Sequence, residues 1–255
     1  ALASKGDSRA DNWLTTLPAE LFDANLAQWQ VAHALRELDW PKVQQVVEQL
    51  PTELQGDINW RYWRARALEE QGNTELANAE FTALAGQRHY YGFMAAARVG
   101  LPPSLAHNPV KVSDEEIAQL LQHPAVQRAQ QFLALGRLTE ARREWNHLQD
   151  TSNEQQKLTS AKLASQLQWH ERAIFSLADV GYWDDVELRF PLAYQQEMQL
   201  SADKFKIDSG WSMAIARRES SFMADAYSPA GARGLMQIMP RTAAFITGDR
   251  QLAWR

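Results

Sequence analysis

The 255 residues are 45% hydrophobic and carry a formal net charge of −5, so a sizeable core can form, general disorder is disfavoured, and the basic face of a nucleic-acid binder is not expected. With no cysteine, disulfide staples and thiolate metal sites are excluded, while the redox compartment stays open. The charge is uneven: residues 201–255 hold eight basic and five acidic side chains, net +3, leaving −8 for residues 1–200, a hint of a boundary near 200. No apolar run approaches the ~20 residues needed to span a membrane, and no signal peptide is visible at Ala1. The opening residues read as the middle of a longer sequence, so a fragment or a processed form is expected.

In chain order, the first clear pattern is a helix hairpin over residues 31–51. Val31, Leu35 and Leu38 share a predicted helix face, Trp40-Pro41 interrupts it with proline suited to a first helical turn, and Val43, Val46, Val47 and Leu50 form a second stripe. The plan returns around Gly72-Asn73, Gly100 to Pro103, Gly136-Arg137 and Gln168-Trp169. Turns at 39, 72, 100, 136 and 168 lie 33, 28, 36 and 32 residues apart, near the ~34-residue tetratricopeptide period. No run of alternating β-branched residues competes. The expected fold is therefore all-α, with residues 1–200 stacked as helix pairs in an α-solenoid. Most of the ten tryptophans (Trp13, Trp29, Trp40, Trp60, Trp63, Trp145, Trp169, Trp183, Trp211 and Trp254) fall in this region. Packing between helices is their expected role, and stacking on sugars the competing one. The six histidines show no metal-ligand spacing.

Residues 201–255 have a different character. Asp208 or Ser209 can cap a helix. Trp211, Ile215 and Glu219 follow at steps of four and Phe222 three later, which puts Glu219 on the predicted apolar face near a helix C-terminus. Desolvation and the helix-end carbonyls would both favour its protonated form, and a protonated carboxyl is what a glycosidase uses on a leaving-group oxygen. Arg217 and Arg218 point elsewhere. An ordinary glutamate at the rim of the core satisfies the same periodicity. Next, Ser228, Pro229, Gly231 and Gly234 precede Leu235-Met236-Gln237-Ile238-Met239-Pro240, and such glycines let backbone approach a ligand. A further helix is expected from Pro240.

Glu219-Ser220-Ser221-Phe222, followed by Ala226-Tyr227-Ser228-Pro229-Ala230-Gly231-Ala232-Arg233-Gly234-Leu235-Met236-Gln237-Ile238-Met239-Pro240, resembles the signature of the lytic transglycosylase domain. Ala224 stands where that family usually has proline. Residues 88–101 and 181–194 also resemble the helical ring of the large soluble murein transglycosylases. The resemblance implies a superhelical ring over 1–200 and, over 201–255, the first part of an α-helical catalytic domain with a goose-type-lysozyme-like fold. It implies cleavage of the β-1,4 bond between N-acetylmuramic acid and N-acetylglucosamine, with a 1,6-anhydro product and Glu219 as the single acid/base. Asp225 is not expected to be a nucleophile, since the substrate's own N-acetyl group can assist. Ser228, Gly234, Gln237 and Met239 match sugar-binding positions. No metal or organic cofactor is implied. The implied partners are peptidoglycan strands and possible cell-wall synthases, and the implied location is the periplasm.

Two later family motifs, Asn-Ile…Gly…Tyr-Leu and Ala-Tyr-Asn-Ala-Gly, do not occur, and about 55 residues can hardly build a core alone. The catalytic part is therefore expected to be truncated, docked against the ring or partly disordered, and little active by itself. A lysozyme-type hydrolase and a non-catalytic helical interaction module of the cell envelope remain the alternatives.

Overall fold

A computed structural model describes residues 23–248. Trp13, Trp254 and the opening of the 1–200 solenoid fall outside that range. Every regular element among the described residues is a helix, joined only by two isolated antiparallel bridges, Tyr227 with Arg233 and Arg233 with Ile238. The chain divides into two compact units, 1–106 and 107–255, so the charge boundary near 200 lies inside the second.

The first unit contains α1 (Ala24–Arg36), α2 (Trp40–Glu48), α3 (Thr52–Gln55), α4 (Ile58–Glu70), α5 (Thr74–Ala85) and α6 (Tyr90–Arg98). Consecutive helices pack as pairs, and α2 and α4 also meet. Val31, Val43, Val46, Val47 and Trp60 fill one core, while Tyr62, Phe81 and Leu84 fill the next. A helix pair leaves one apolar stripe open, and the next pair closes it.

The turns share one device. Leu38, Gly72 and Gly100 adopt left-handed φ values of 56°, 84° and 69°. The following N–H then bonds five residues back: Asp39 to the Ala34 carbonyl at 2.8 Å, Asn73 to Leu68 at 2.9 Å, and Leu101 to Ala96 at 2.9 Å. This pattern is a Schellman closure, which satisfies carbonyls that the helix end would leave open. Leu38 therefore belongs to the turn, not to the face of Val31 and Leu35, and its side chain is exposed. The left-handed step turns it off the helix stripe, which corrects the sequence expectation.

The second unit contains α7 (Asp114–Leu121), α8 (Pro124–Ala134), α9 (Leu138–Thr151), α10 (Glu154–Gln166), α11 (His170–Asp179), α12 (Val186–Arg189), α13 (Gln195–Phe205), α14 (Ser209–Ser220) and α15 (Pro240–Thr247). Gly136 and Gln168 repeat the closure, through Arg137 to Phe132 and Trp169 to Ala164, both at 2.8 Å. Trp145 and Trp169 are buried edge to face, with ring centroids 5.2 Å apart, in the core of α7 to α11. Trp60, Trp145 and Trp169 are therefore packing residues, whereas Trp29, Trp183 and Trp211 are exposed. A second core joins α11, α13 and α14 to the glycine-rich turn through Ile174, Ala193, Met198, Ala216 and Phe222, with Leu235 and Met236 beside them. That core seats the Glu219 segment on the repeat helices.

Candidate active site

Asp208 is the N-cap of α14, its carboxylate accepting from the Trp211 N–H at 3.2 Å. The helix stops because Ser221 and Phe222 both take left-handed φ, 52° and 67°. Glu219 is thus the penultimate residue of α14, at the end where carbonyls point outward. Its surroundings differ from the sequence expectation. The buried residues of α14 are Ser212, Ala216 and Ser220, while Trp211, Ile215 and Glu219 share an exposed face. Small side chains let α14 lie close to its neighbours, and the larger apolar residues are left outside. Glu219 makes no hydrogen bond or ion pair with another described side chain, and Arg217 instead donates from Nε to the Arg189 carbonyl at 2.6 Å. Burial, followed by the nearby Arg189, lowers the Arg217 pKa from its ordinary value.

The chain after Phe222 folds back on the helix end. Gly234, at φ 73°, donates its N–H to the Ala226 carbonyl at 2.8 Å, and Arg233 and Ile238 exchange two backbone bonds of 3.1 Å. Ser228 Oγ accepts from the Ala232 N–H at 2.9 Å. Gln237, itself left-handed at φ 46°, donates from Nε2 to the carbonyls of Gly234 at 2.9 Å and Ala226 at 3.3 Å. Those bonds occupy the amide nitrogen and leave its oxygen as an acceptor. Ser220 Oγ, one residue beyond Glu219, lies 2.9 Å from the Leu235 carbonyl and fastens the turn to the helix.

A cavity of about 310 Å³ opens between helix end and turn, and Glu219, Ser228 and Gln237 all line it. Gly234 and Met239 do not: Gly234 closes the turn behind the cavity, and Met239 is the exposed N-cap of α15. Tyr227, stacked under the Arg233 guanidinium at 5.1 Å, adds an aromatic wall, and Phe175 reaches in from α11. Sequence reasoning missed Phe175, since no periodicity links it to residue 219.

Asp225 is held in an ion pair. Arg142 on α9 grips both its oxygens, at 2.6 and 2.7 Å, and also donates to the buried Glu171 at 3.0 Å. The Arg142 guanidinium holds the Asp225 carboxyl below its ordinary range against the opposing effect of burial. Glu171 also accepts from the Trp169 indole N–H at 2.6 Å.

Residues 119–186 match the soluble lytic murein transglycosylase L domain, and residues 197–251 match the transglycosylase SLT domain. The chain is 34% identical over 194 residues to the soluble lytic murein transglycosylase of Escherichia coli K12, an overlap of 76% of this chain and 30% of that protein. The chain carries matches to both of these soluble lytic murein transglycosylase domains. It spans about a third of the length of such relatives. A putative member from Haemophilus influenzae is 30% identical over 223 residues, 87% of this chain and 37% of that one. Among solved family structures, an inactive glutamate-to-glutamine mutant of the Pseudomonas aeruginosa lytic transglycosylase Slt superposes with a TM-score of 0.78 at 34% identity, over 99% of this chain and 42% of that one. The 70 kDa soluble lytic transglycosylase of Escherichia coli gives 0.79 at 29% identity, over 96% and 39%. A complex of the 70 kDa soluble lytic transglycosylase with bulgecin A gives 0.77 at 29% identity, again over 96% and 39%.

Proposed function

We propose that this chain forms part of a peptidoglycan lytic transglycosylase in which Glu219 is the single acid/base. The observation that carries the reading is the position of Glu219: at a helix end, unpaired, on a cavity whose opposite side is the Ser228–Gln237 turn. A carboxyl tied into an ion pair could not take and return a proton freely, whereas an unpaired one can. The neutral carboxylic acid gives its proton to the glycosidic oxygen between N-acetylmuramic acid and N-acetylglucosamine. The resulting carboxylate then takes the proton of the muramoyl 6-hydroxyl as that oxygen bonds to the anomeric carbon, closing the 1,6-anhydro ring. The inactive Pseudomonas mutant supports a glutamate in this role for that relative. Asp225, committed to Arg142, is a poor nucleophile, in keeping with a one-carboxylate reaction assisted by the substrate.

Ser228 and Gln237 orient the sugar within the same reading: a fixed hydroxyl and a free amide oxygen suit sugar hydroxyls and N-acetyl N–H groups. Gly234 keeps the turn in shape, and Met239 flanks it as a sugar-binding position further along. The matched spans support a change from superhelical to catalytic part between residues 186 and 197, near the charge boundary. Peptidoglycan strands are the proposed partner and the periplasm the proposed location, with cell-wall synthases as candidate neighbours; no helix among the described residues is long and apolar enough to cross a membrane. The test is Glu219→Gln in the full-length protein, incubated with purified sacculi and analysed by mass spectrometry. The wild type is expected to release 1,6-anhydromuropeptides, and the folded variant at least about a hundredfold less. Reducing-end products from the wild type would make it a hydrolase; equal release by the variant would move the acid/base to another residue.

A further inference from the structure

The Arg142 cluster lies outside the cavity, yet it is built with more care than a surface ion pair. Arg142 lies about one turn into α9, 83 residues before Asp225. Its guanidinium makes two parallel bonds to Asp225, 2.7 Å from Nη1 and 2.6 Å from Nη2, and two more to Glu171, 3.3 Å from Nε and 3.0 Å from Nη2. The Arg142 side chain is 17% exposed and that of Glu171 only 7%. Exposed single ion pairs contribute little, but a forked, half-buried network fixes geometry. Asp225 sits in the short span between Phe222, buried in the core, and Ala226, whose carbonyl accepts from Gly234 and Gln237. Whatever holds Asp225 therefore holds the base of the turn that faces Glu219.

We propose that Arg142 is a positioning residue for the reaction: from a repeat helix it clamps Asp225 and so fixes the Ser228–Gln237 turn at the right distance from Glu219. The inference rests on the reading of the Glu219 cavity as the reaction site. Arg142 does not line that cavity, and it takes no proton. Its effect reaches the substrate through Asp225, Ala226 and the turn. Reacting groups must be held to within about an ångström, so a loosened turn lowers the rate more than it weakens binding.

The test compares wild type with Arg142→Met, Arg142→Lys and Asp225→Asn, all in the full-length protein. Hydrogen exchange of the 226–239 backbone, which includes the Ser228, Gly234 and Ile238 amides, should quicken about tenfold or more in Arg142→Met, the loss expected when charged hydrogen bonds go. Exchange in α8 and α9 should stay within about twofold of wild type. On sacculi, kcat should fall about tenfold and KM change little. Arg142→Lys, which keeps the charge and loses the fork, should recover part of both readouts. Asp225→Asn alone should quicken the same amides, and in the Arg142→Met background it should add no further loss. Unchanged exchange at 226–239, a rise shared equally by α8 and α9, or quickened exchange with an unaltered kcat would each overturn the proposal. The exchange measurement needs no substrate, so a wild type without lytic activity sinks the functional reading while the clamp is still judged on the turn.

Discussion

At the scale of single residues, the site depends on what each polar group is already bonded to. Glu219 is unpaired, whereas Asp225, six residues on, is committed to Arg142. The commitment has a pH signature. Arg142 depresses the Asp225 pKa in the folded state, so its stabilisation is fully present above the unfolded value of roughly 4 and is lost as pH falls through the folded value. Protection of the 226–239 amides should therefore weaken on acidification below about pH 4, and Asp225→Asn should flatten that dependence; an identical acid profile in both proteins would exclude Asp225 as the titrating group. Gly234→Ala tests the turn itself. The added methyl meets only the Ala224 carbonyl at 3.7 Å, but φ 73° costs an L-residue about 1–2 kcal/mol, which a shift in thermal midpoint will register. Glu219, Ser228 and Gln237 were legible because the motif between them is local. The exposure of Glu219 was not, because steps of four define a face without saying which face a neighbour covers. Here the helix buries its small residues, Ala216 and Ser220, and leaves Trp211 63% exposed.

At the scale of elements, the repeated left-handed closure explains which turns were readable. Gly72, Gly100 and Gly136 mark their turns because glycine adopts positive φ without strain, and each break in the sequence falls where a helix ends. Leu38 and Gln168 occupy the same backbone position with a side chain. Their turns were found only from the neighbouring Trp40-Pro41 and from the spacing, and the Leu38 side chain was assigned to the wrong element. Opposite substitutions should have opposite signs. Gly136→Ala has open space around the new methyl, so the expected loss of about 1–2 kcal/mol is conformational strain alone. Gln168→Gly relieves that strain and should stabilise by a smaller amount, about 0.5 kcal/mol, because glycine also enlarges the unfolded ensemble. Urea unfolding of both variants provides the comparison, and two losses of equal size would mean that the Gln168 side chain makes contacts worth more than its backbone strain.

At the scale of the whole molecule, the second unit is tied together by long-range polar contacts that periodicity could not reveal. Asp185 is 1% exposed and accepts from the Val110 N–H at 2.8 Å and the Leu188 N–H at 2.9 Å. It fastens the segment leading into α7 to the start of α12. Asp185→Ala strands two donors and should cost about 2–4 kcal/mol, with faster exchange concentrated at residues 107–112 and 186–189. A loss spread evenly through the unit would instead point to general core damage. The alternation of apolar stripes carried the helices of this unit; the pairing of residue 110 with 185, or 142 with 225, depends on how the chain returns on itself. The Arg142 cluster has a last consequence, for inheritance. Asp225 and Glu171 share a single nitrogen, Nη2 of Arg142. Losing that arginine alone would leave two acids facing one another across a partly buried gap. A lineage can therefore change position 142 only in step with at least one of the acids, and a chimera that joins these repeats to a foreign catalytic segment should work best when the incoming segment brings its own acid to the arginine.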